Sequence, residues 1–323
     1  MKAALYDRMG KASDVLRVEE VAPPEPGPGE VRVRVRVSAI NPTDVKARSG
    51  AVPRPIDGFQ IPHHDGAGEI DAVGPGVDKS RVGQRVWLWM AANGQRWGTA
   101  AQWTVVPEQR AVPLPDGASF ELGACLGVPA MTAHRCLFAD GQLDGGAVLV
   151  AGGAGAVGHF AVELAKRAGA RVAATVSTPE KGELAARAGA DRVVNYRDQD
   201  AAEQLSAFSP RYQRIVEVAL SHNLEMDLTL SGPETVIVAY AADGNDPVLR
   251  VRACMSANVT MRFILLYGVP QPALAAAVRD ISAALSAGAL TELPLHRFPL
   301  DDIAAAHEAA EAGAVGKVVV EIP

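Results

Sequence analysis

Between residues 30 and 40 the chain reads EVRVRVRVSAI, valine alternating with arginine. That is the period of a strand with one face buried and one face wet, which makes the arginines a solvated face. Short apolar pieces follow at GAGEIDAVGPGV (66–77), RVWLWM (85–90) and AAQWTVVP (100–107), parted by Gly and Pro. They predict a small, partly closed β structure in the first third of the chain. PPEPGPGE (23–30) reads as a stiff extended connector. Near residue 120 the period changes. Ala-rich helical stretches alternate with apolar runs: AVLVAGG (147–153), HFAVELAKRAGA (159–170), RVAATV (171–176), KGELAARAGA (181–190), RVVNY (192–196), RIVEVAL (214–220) and TVIVAY (235–240). Strand, helix, strand in that order predicts parallel pairing with right-handed crossovers, a doubly wound sheet. Segments 270–290 and 301–313 predict two more helices, and KVVVEI (317–322) a closing strand.

A chain of 323 residues is long for one core, so two lobes are expected. The net charge of -6, with Lys and Arg dispersed, argues against a phosphate backbone as partner, and no nucleic acid is expected. No apolar run reaches the roughly 18 to 20 residues of a membrane span. The first residues meet Asp7 and Arg8 before a signal core could form, so a cytoplasmic protein is expected. Cys125, Cys136 and Cys254 are odd in number and lack a C-x-x-C pair, which supports neither a disulfide framework nor a cysteine-rich zinc lobe.

VLVAGGAGAVGHF ends a buried strand and opens a helix, and Gly153, Gly155 and Gly158 fit G-x-G-x-x-G in the setting that gives the motif meaning. A turn that serves only packing is the competing reading, and the intact βαβ unit disfavours it. Backbone N–H groups in such a loop approach a pyrophosphate, whose charge suits the helix N-terminus. The second strand then selects the cofactor. An NAD site usually carries a carboxylate there for the ribose 2'-hydroxyl. Here the chain has Thr175, Val176, Ser177 and Thr178, with no acid until Glu180. Ser177 offers a hydrogen bond and Lys181 a point charge to a 2'-phosphate. A cation at a helix start is mildly disfavoured by the helix dipole, which favours a functional reading of Lys181.

The blocks PGPGEVRVRV, INPTDVKARSG, HHDGAGEIDAVG, GVPAMTAHRCL, AGGAGAVG, GADRVVNYR and AVGKVVVEIP occur in order along nearly the whole chain. In these it resembles the zinc-independent quinone oxidoreductases, the zeta-crystallin group of the medium-chain dehydrogenase/reductase superfamily. The resemblance implies an α/β protein with a Rossmann doubly wound parallel sheet domain and a β-rich GroES-like catalytic domain. It implies NADPH, held by Gly152, Gly153, Ala154, Gly155, Ala156, Val157 and Gly158, with the 2'-phosphate on Ser177, Lys181 and Tyr196. Further cofactor contacts are implied at Thr132, Tyr240, Ala241 and the stretch around Tyr267. The expected domains are 1–123 with 264–323 for catalysis and 124–263 for the nucleotide, with the active cleft between them.

Zinc-dependent relatives carry Cys where Asn41 stands, then Gly-His-Glu, and a second Cys near Val128. This chain offers His64 and Asp65 and no sulfur, too few ligands for a closed tetrahedral site, so no metal is expected. His63 and His64 then read as a polar wall or a satisfied loop pair. Quinone reduction needs positioned hydrogen-bond donors, for which Asn41, Lys46 and Tyr267 are the candidates. Reduction of an enone or enoyl C=C bond is the alternative, with Tyr267, Lys46 or His134 as acid. The group also includes structural and RNA-binding members, against which the acidic balance weighs. Lys46 and His134 replace tyrosines common in the family, which bears on substrate choice. Trp87, Trp89, Trp97 and Trp103 read equally as a flat aromatic wall or as core. A homodimer is expected through an edge strand near VTMRFILLYG.

Overall fold

The alternation at 30–40 becomes β3 (Glu30–Ala39) in a computed structural model that describes residues 1–242 and 244–323. Val31, Val33 and Val35 are buried, while Arg32 pairs with Asp71 and Glu25, and Arg36 with Glu69. Burial of each valine contributes roughly 1.5 to 3 kcal/mol. A surface ion pair gives under about 1 kcal/mol, so the apolar face sets the strand.

The chain divides into two compact units, Met1–Val128 with Glu292–Pro323, and Pro129–Thr291. In the first, β1 (Lys2–Leu5) pairs with β2 (Arg17–Glu20). Around β3 run β4 (Asp65–Val73), β5 (Arg85–Leu88), β6 (Trp103–Pro107), β7 (Ala111–Pro113), β14 (Leu295–Pro299) and β15 (Lys317–Glu321). Their order is β14-β15-β3-β4-β5-β7, with β6 on β3. Helix α1 (Pro42–Ser49) follows β3 directly, and α6 (Ile303–Glu311) precedes β15.

The second unit holds a six-stranded sheet in which every pairing is parallel. Its strands are β8 (Ala147–Ala151), β9 (Arg171–Val176), β10 (Arg192–Asn195), β11 (Arg214–Glu217), β12 (Val236–Ala239) and β13 (Thr260–Phe263), in the order β10-β9-β8-β11-β12-β13. That is the doubly wound arrangement anticipated, with β13 at one edge. The helices used below are α2 (Gly127–Phe138), α3 (Ala156–Arg167), α4 (Pro179–Arg187) and α5 (Gln271–Ser286).

The return to the first unit comes at Glu292, which corrects the expected boundary at 264. The reason is local packing. Leu274, Ala277, Ile281 and Ala284 of α5 are buried, Asp280 lies 2.7 Å from His134 Nε2 on α2, and Thr291 donates its N–H to Glu163 of α3. The other boundary falls at 128 rather than 123. There the Val128 N–H donates to the Asp65 carboxylate of β4. The tryptophans form no common wall: Trp87 and Trp89 are core, Trp103 donates to Asp71, and Trp97 is half-buried. No helix among the described residues is long and apolar enough to cross a membrane.

Candidate active site

The glycine loop connects β8 to α3, and its glycines answer separate demands. Gly152 has φ +71°, a left-handed conformation that a Cβ would strain. At Gly158 a Cβ would stand 2.2 Å from the Gly152 carbonyl oxygen, so only hydrogen lets the first turn of α3 close on the loop. The Gly153 N–H donates to Thr175 O at 3.0 Å, which ties the loop to β9. Ala154 is buried beneath it, and Gly155 caps α3, followed by Ala156 and Val157 in the first turn. The helix opens with its backbone donors at the loop, as an anion-binding cradle requires.

Beyond β9 the structure brings together two of the residues assigned to a 2'-phosphate. Lys181 Nζ donates to Ser177 Oγ at 3.2 Å. Thr178 caps α4, its hydroxyl accepting the Lys181 N–H, which fixes the helix turn that carries the lysine. Tyr196 follows β10, donates its N–H to Val176 O, and is 47% exposed. Tyr240 follows β12, its N–H on Glu217 O and its phenol pushed up by burial, and the adjacent Ala241 is exposed. Thr132 is buried on α2, and Tyr267 sits half-buried in the short turn Leu266–Gly268. His134 is buried against Asp280; burial lowers its pKa, with Asp280 opposing.

The first unit contains a buried polar cluster. Asn41 caps α1 and is 1% exposed. Its Nδ2 donates to Asp65 Oδ2 at 2.8 Å, its Oδ1 accepts from Lys317 Nζ, and its N–H donates to Asp44 Oδ2 at 2.7 Å. The amide is therefore oriented by partners on both sides. Asp65 also accepts the Val128 N–H at 2.9 Å. Burial raises Asp65 to about 6 and Asp44 to about 7, and the Lys317 ammonium opposes both shifts. Lys46 stands exposed on α1, outside these hydrogen bonds.

The two histidines separate. His63 bonds Ser38 through Nδ1 at 2.8 Å and His307 through Nε2 at 2.9 Å, a buried pair in which burial pushes His63 far down and His307 to about 3. Both rings are neutral, and one donates to the other. His64 Nε2 lies 3.1 Å from Arg54 Nη1, and burial, then Arg54, lowers it to about 3. Among the described residues no group of three or more His, Cys, Asp or Glu is placed to hold a metal. Sequence reasoning missed Lys317, His307 and Arg54. A lysine that opens a terminal strand carries no sign that it will be 4% exposed.

Two family models match the chain, an alcohol dehydrogenase GroES-like domain over residues 27–116 and a zinc-binding dehydrogenase over 156–283. A quinone-oxidoreductase homolog of Spinacia oleracea chloroplasts is 33% identical over 68% of each chain. The chain belongs to the medium-chain dehydrogenase/reductase superfamily. It is an oxidoreductase of the quinone oxidoreductase type. Its relatives in the superfamily include the quinone oxidoreductase of Lama guanicoe, 28% identical over 99% of this chain and 97% of the relative. An NAD-dependent alcohol dehydrogenase structure superimposes with a TM-score of 0.91 at 26% identity over the full length of both chains. The mycobacterial protein Rv1454c, solved with NADPH, gives 0.85 at 27% identity over 99% of each.

Proposed function

We propose that the protein is an NADPH-dependent quinone reductase that works without a resident metal. The observation that carries the cofactor choice is the Ser177–Lys181 pair at the end of β9, in a stretch that holds no carboxylate before Glu180. A 2'-phosphate would meet a hydroxyl and an ammonium there, where an acid would repel it. The solved NADPH complex of a 27% identical protein supports the same choice. The likeness to an NAD-dependent alcohol dehydrogenase lies in the fold, and the residues after β9 discriminate between the two dinucleotides.

The cradle of Gly152 to Gly158 fits a pyrophosphate, and a bound dihydronicotinamide supplies a hydride. The rest of the reading concerns this chain's own groups. Asn41 holds one amide N–H on Asp65, and its second N–H is the donor we assign to the acceptor oxygen, with Lys46 and Tyr267 as further donors. Neither Asn41 nor the segment around Val128 offers a thiolate, and the Asn41 oxygen is already taken by Lys317. Phe263 and Leu265, 71% and 70% exposed at the β13 edge, fit pairing with a second copy, so we assign a homodimer. A cytoplasmic location follows from the same reading.

The test is NADPH oxidation by chelator-treated protein with an ortho-quinone and a simple 2-enone side by side. The proposal expects quinone turnover that chelation leaves unchanged, with little on the enone. Turnover of the enone alone would shift the assignment to C=C reduction. Loss of quinone turnover on chelation would contradict the metal-free reading.

A further inference from the structure

Glu217 ends β11, and Asp227 lies on the helix that follows, Leu220–Thr229. Both side chains are fully buried. The Glu217 carboxylate is well supplied with donors: its Oε1 accepts the Ala219 N–H, and the Asn223 amide nitrogen lies 3.1 Å from each oxygen. Among the described residues neither Asp227 oxygen has an N–H or O–H donor in reach, and the group it meets is Glu217. Two ionised carboxylates accept only, so they cannot bond each other, and a dry interior penalises both charges. Burial, and then the Glu217 charge, raises Asp227 well above the usual carboxylate range, so it keeps its proton and donates it to Glu217. The pair holds one proton and one negative charge.

The surrounding ionisable groups leave that charge where it is. Tyr240, after β12, and Cys136, on α2, are pushed up by burial and stay neutral. His222 and Glu225, on the same helix as Asp227, are exposed, and Glu225 pairs with Arg250. Arg252, on the neighbouring helix Val251–Ala257, is exposed, and Arg214, at the other end of β11, is held by Asp140. The pair reaches the glycine loop through its neighbours in the chain. By accepting from Ala219, Glu217 closes the turn Val218–Ala219 that leads from strand to helix. Val218 packs on the loop, since a Cβ at Gly152 would stand 3.2 Å from Val218 Cγ1. The Gly152 carbonyl in turn accepts the Gly155 N–H at 2.9 Å. The Glu217 carbonyl accepts the Tyr240 N–H at 3.1 Å, which ties the end of β12 to the same point.

We propose that Glu217 and Asp227 are positioning residues for the dinucleotide, a one-proton carboxyl pair that holds Val218 under Gly152 and so keeps the cradle in shape for a pyrophosphate. The inference rests on the reading of Gly152 to Gly158 as that cradle. Ionisation of Asp227 sets two negative charges against each other in a space without water. The turn Val218–Ala219, closed by the Glu217 carboxylate, is where that repulsion is relieved, and the loop above it loses its support. Dinucleotide affinity is therefore present while Asp227 holds its proton and is lost as pH rises through its ionisation. The effect falls on the pyrophosphate, which NADPH and NADH share, so the pair acts on both dinucleotides alike.

The test joins a spectrum to a titration. Infrared difference spectra of the wild type against Asp227→Asn at neutral pH should show the carbonyl stretch of one neutral carboxylic acid, lost in the variant. Fluorescence titration then follows NADPH and NADH across pH. Asn keeps a donor towards Glu217 and cannot ionise, so Asp227→Asn should bind both dinucleotides as the wild type does at neutral pH. Asp227→Leu removes the donor and should weaken both by the same factor, roughly tenfold. As pH rises, wild-type NADH affinity should fall in step with the infrared band while that of Asp227→Asn holds. An absent band, a band that disappears while affinity stays, or an Asp227→Asn variant that titrates like the wild type would overturn the pair, and these hold whether or not Asp227→Leu folds. A wild type that binds NADH and rejects NADPH would remove the proposed cofactor and leave the pair. Binding of neither dinucleotide would remove both.

Discussion

The glycine loop of the second unit and the Asn41 cluster of the first are both pieces of candidate site, built on opposite terms. The loop depends on side chains that are absent. A Cβ at Gly158 would lie 2.2 Å from a carbonyl oxygen, and every residue of the constraint falls within seven positions. The cluster depends on long polar side chains meeting across the chain, Lys317 reaching Asn41 over 276 residues. A local steric demand is written into a short motif. A buried charge network emerges only once β3, β4 and β15 are paired.

This contrast sets the order of expected effects. Gly158→Val should be the most severe change, lowering NADPH affinity on the order of a hundredfold or more, because the loop must open to admit the side chain; fluorescence titration would show it. If the variant binds NADPH normally, the loop is not the cradle. Lys317→Met takes the hydrogen-bond donor from Asn41 Oδ1 and the nearby cation from Asp65, and removing one charge of a buried ionic cluster costs about 3 to 5 kcal/mol. Urea unfolding should show the loss, and a cost under about 1 kcal/mol would mean that the cluster is solvated rather than buried.

Lys181→Ala should weaken NADPH roughly tenfold to a hundredfold and leave NADH nearly unchanged, the signature of a phosphate contact. Equal weakening of both would assign the lysine to the structure of α4. The smallest effect concerns Asp44. Its folded pKa, raised to about 7, exceeds the unfolded value of about 3.9, so the folded state binds the extra proton between those values. The Asp44 contribution to stability is therefore present in acid and is lost as pH rises towards 7. Asp44→Asn removes that dependence, so its stability relative to the wild type should rise from pH 4 to pH 8. A flat difference would place the carboxyl in water.

The two units also differ in how far the sequence revealed them. The valine–arginine alternation predicted β3 because burial alternates along it, and the Gly-rich turn predicted the β8–α3 junction because the backbone geometry allows little else. The return of the chain to the first unit was misplaced at 264. Helix α5 has the same Ala-rich texture on either reading, and the His134–Asp280 contact that settles its membership is a pairing that no local pattern displays. His63 and His64 are sequence neighbours with separate partners, His307 and Arg54, in the turn before β4, where His63 takes a left-handed φ of 78°. Ser177 with Lys181 could be read because four residues at a helix start bring them together.

The measurement closest to the centre of this account is a paired equilibrium titration of the wild-type protein with NADPH and with NADH. The account predicts NADPH at least tenfold tighter, with the difference removed by replacing Ser177 and Lys181 together. Equal affinities, or a preference for NADH, would contradict the assignment of β9 and α4 to a 2'-phosphate and with it the proposed cofactor.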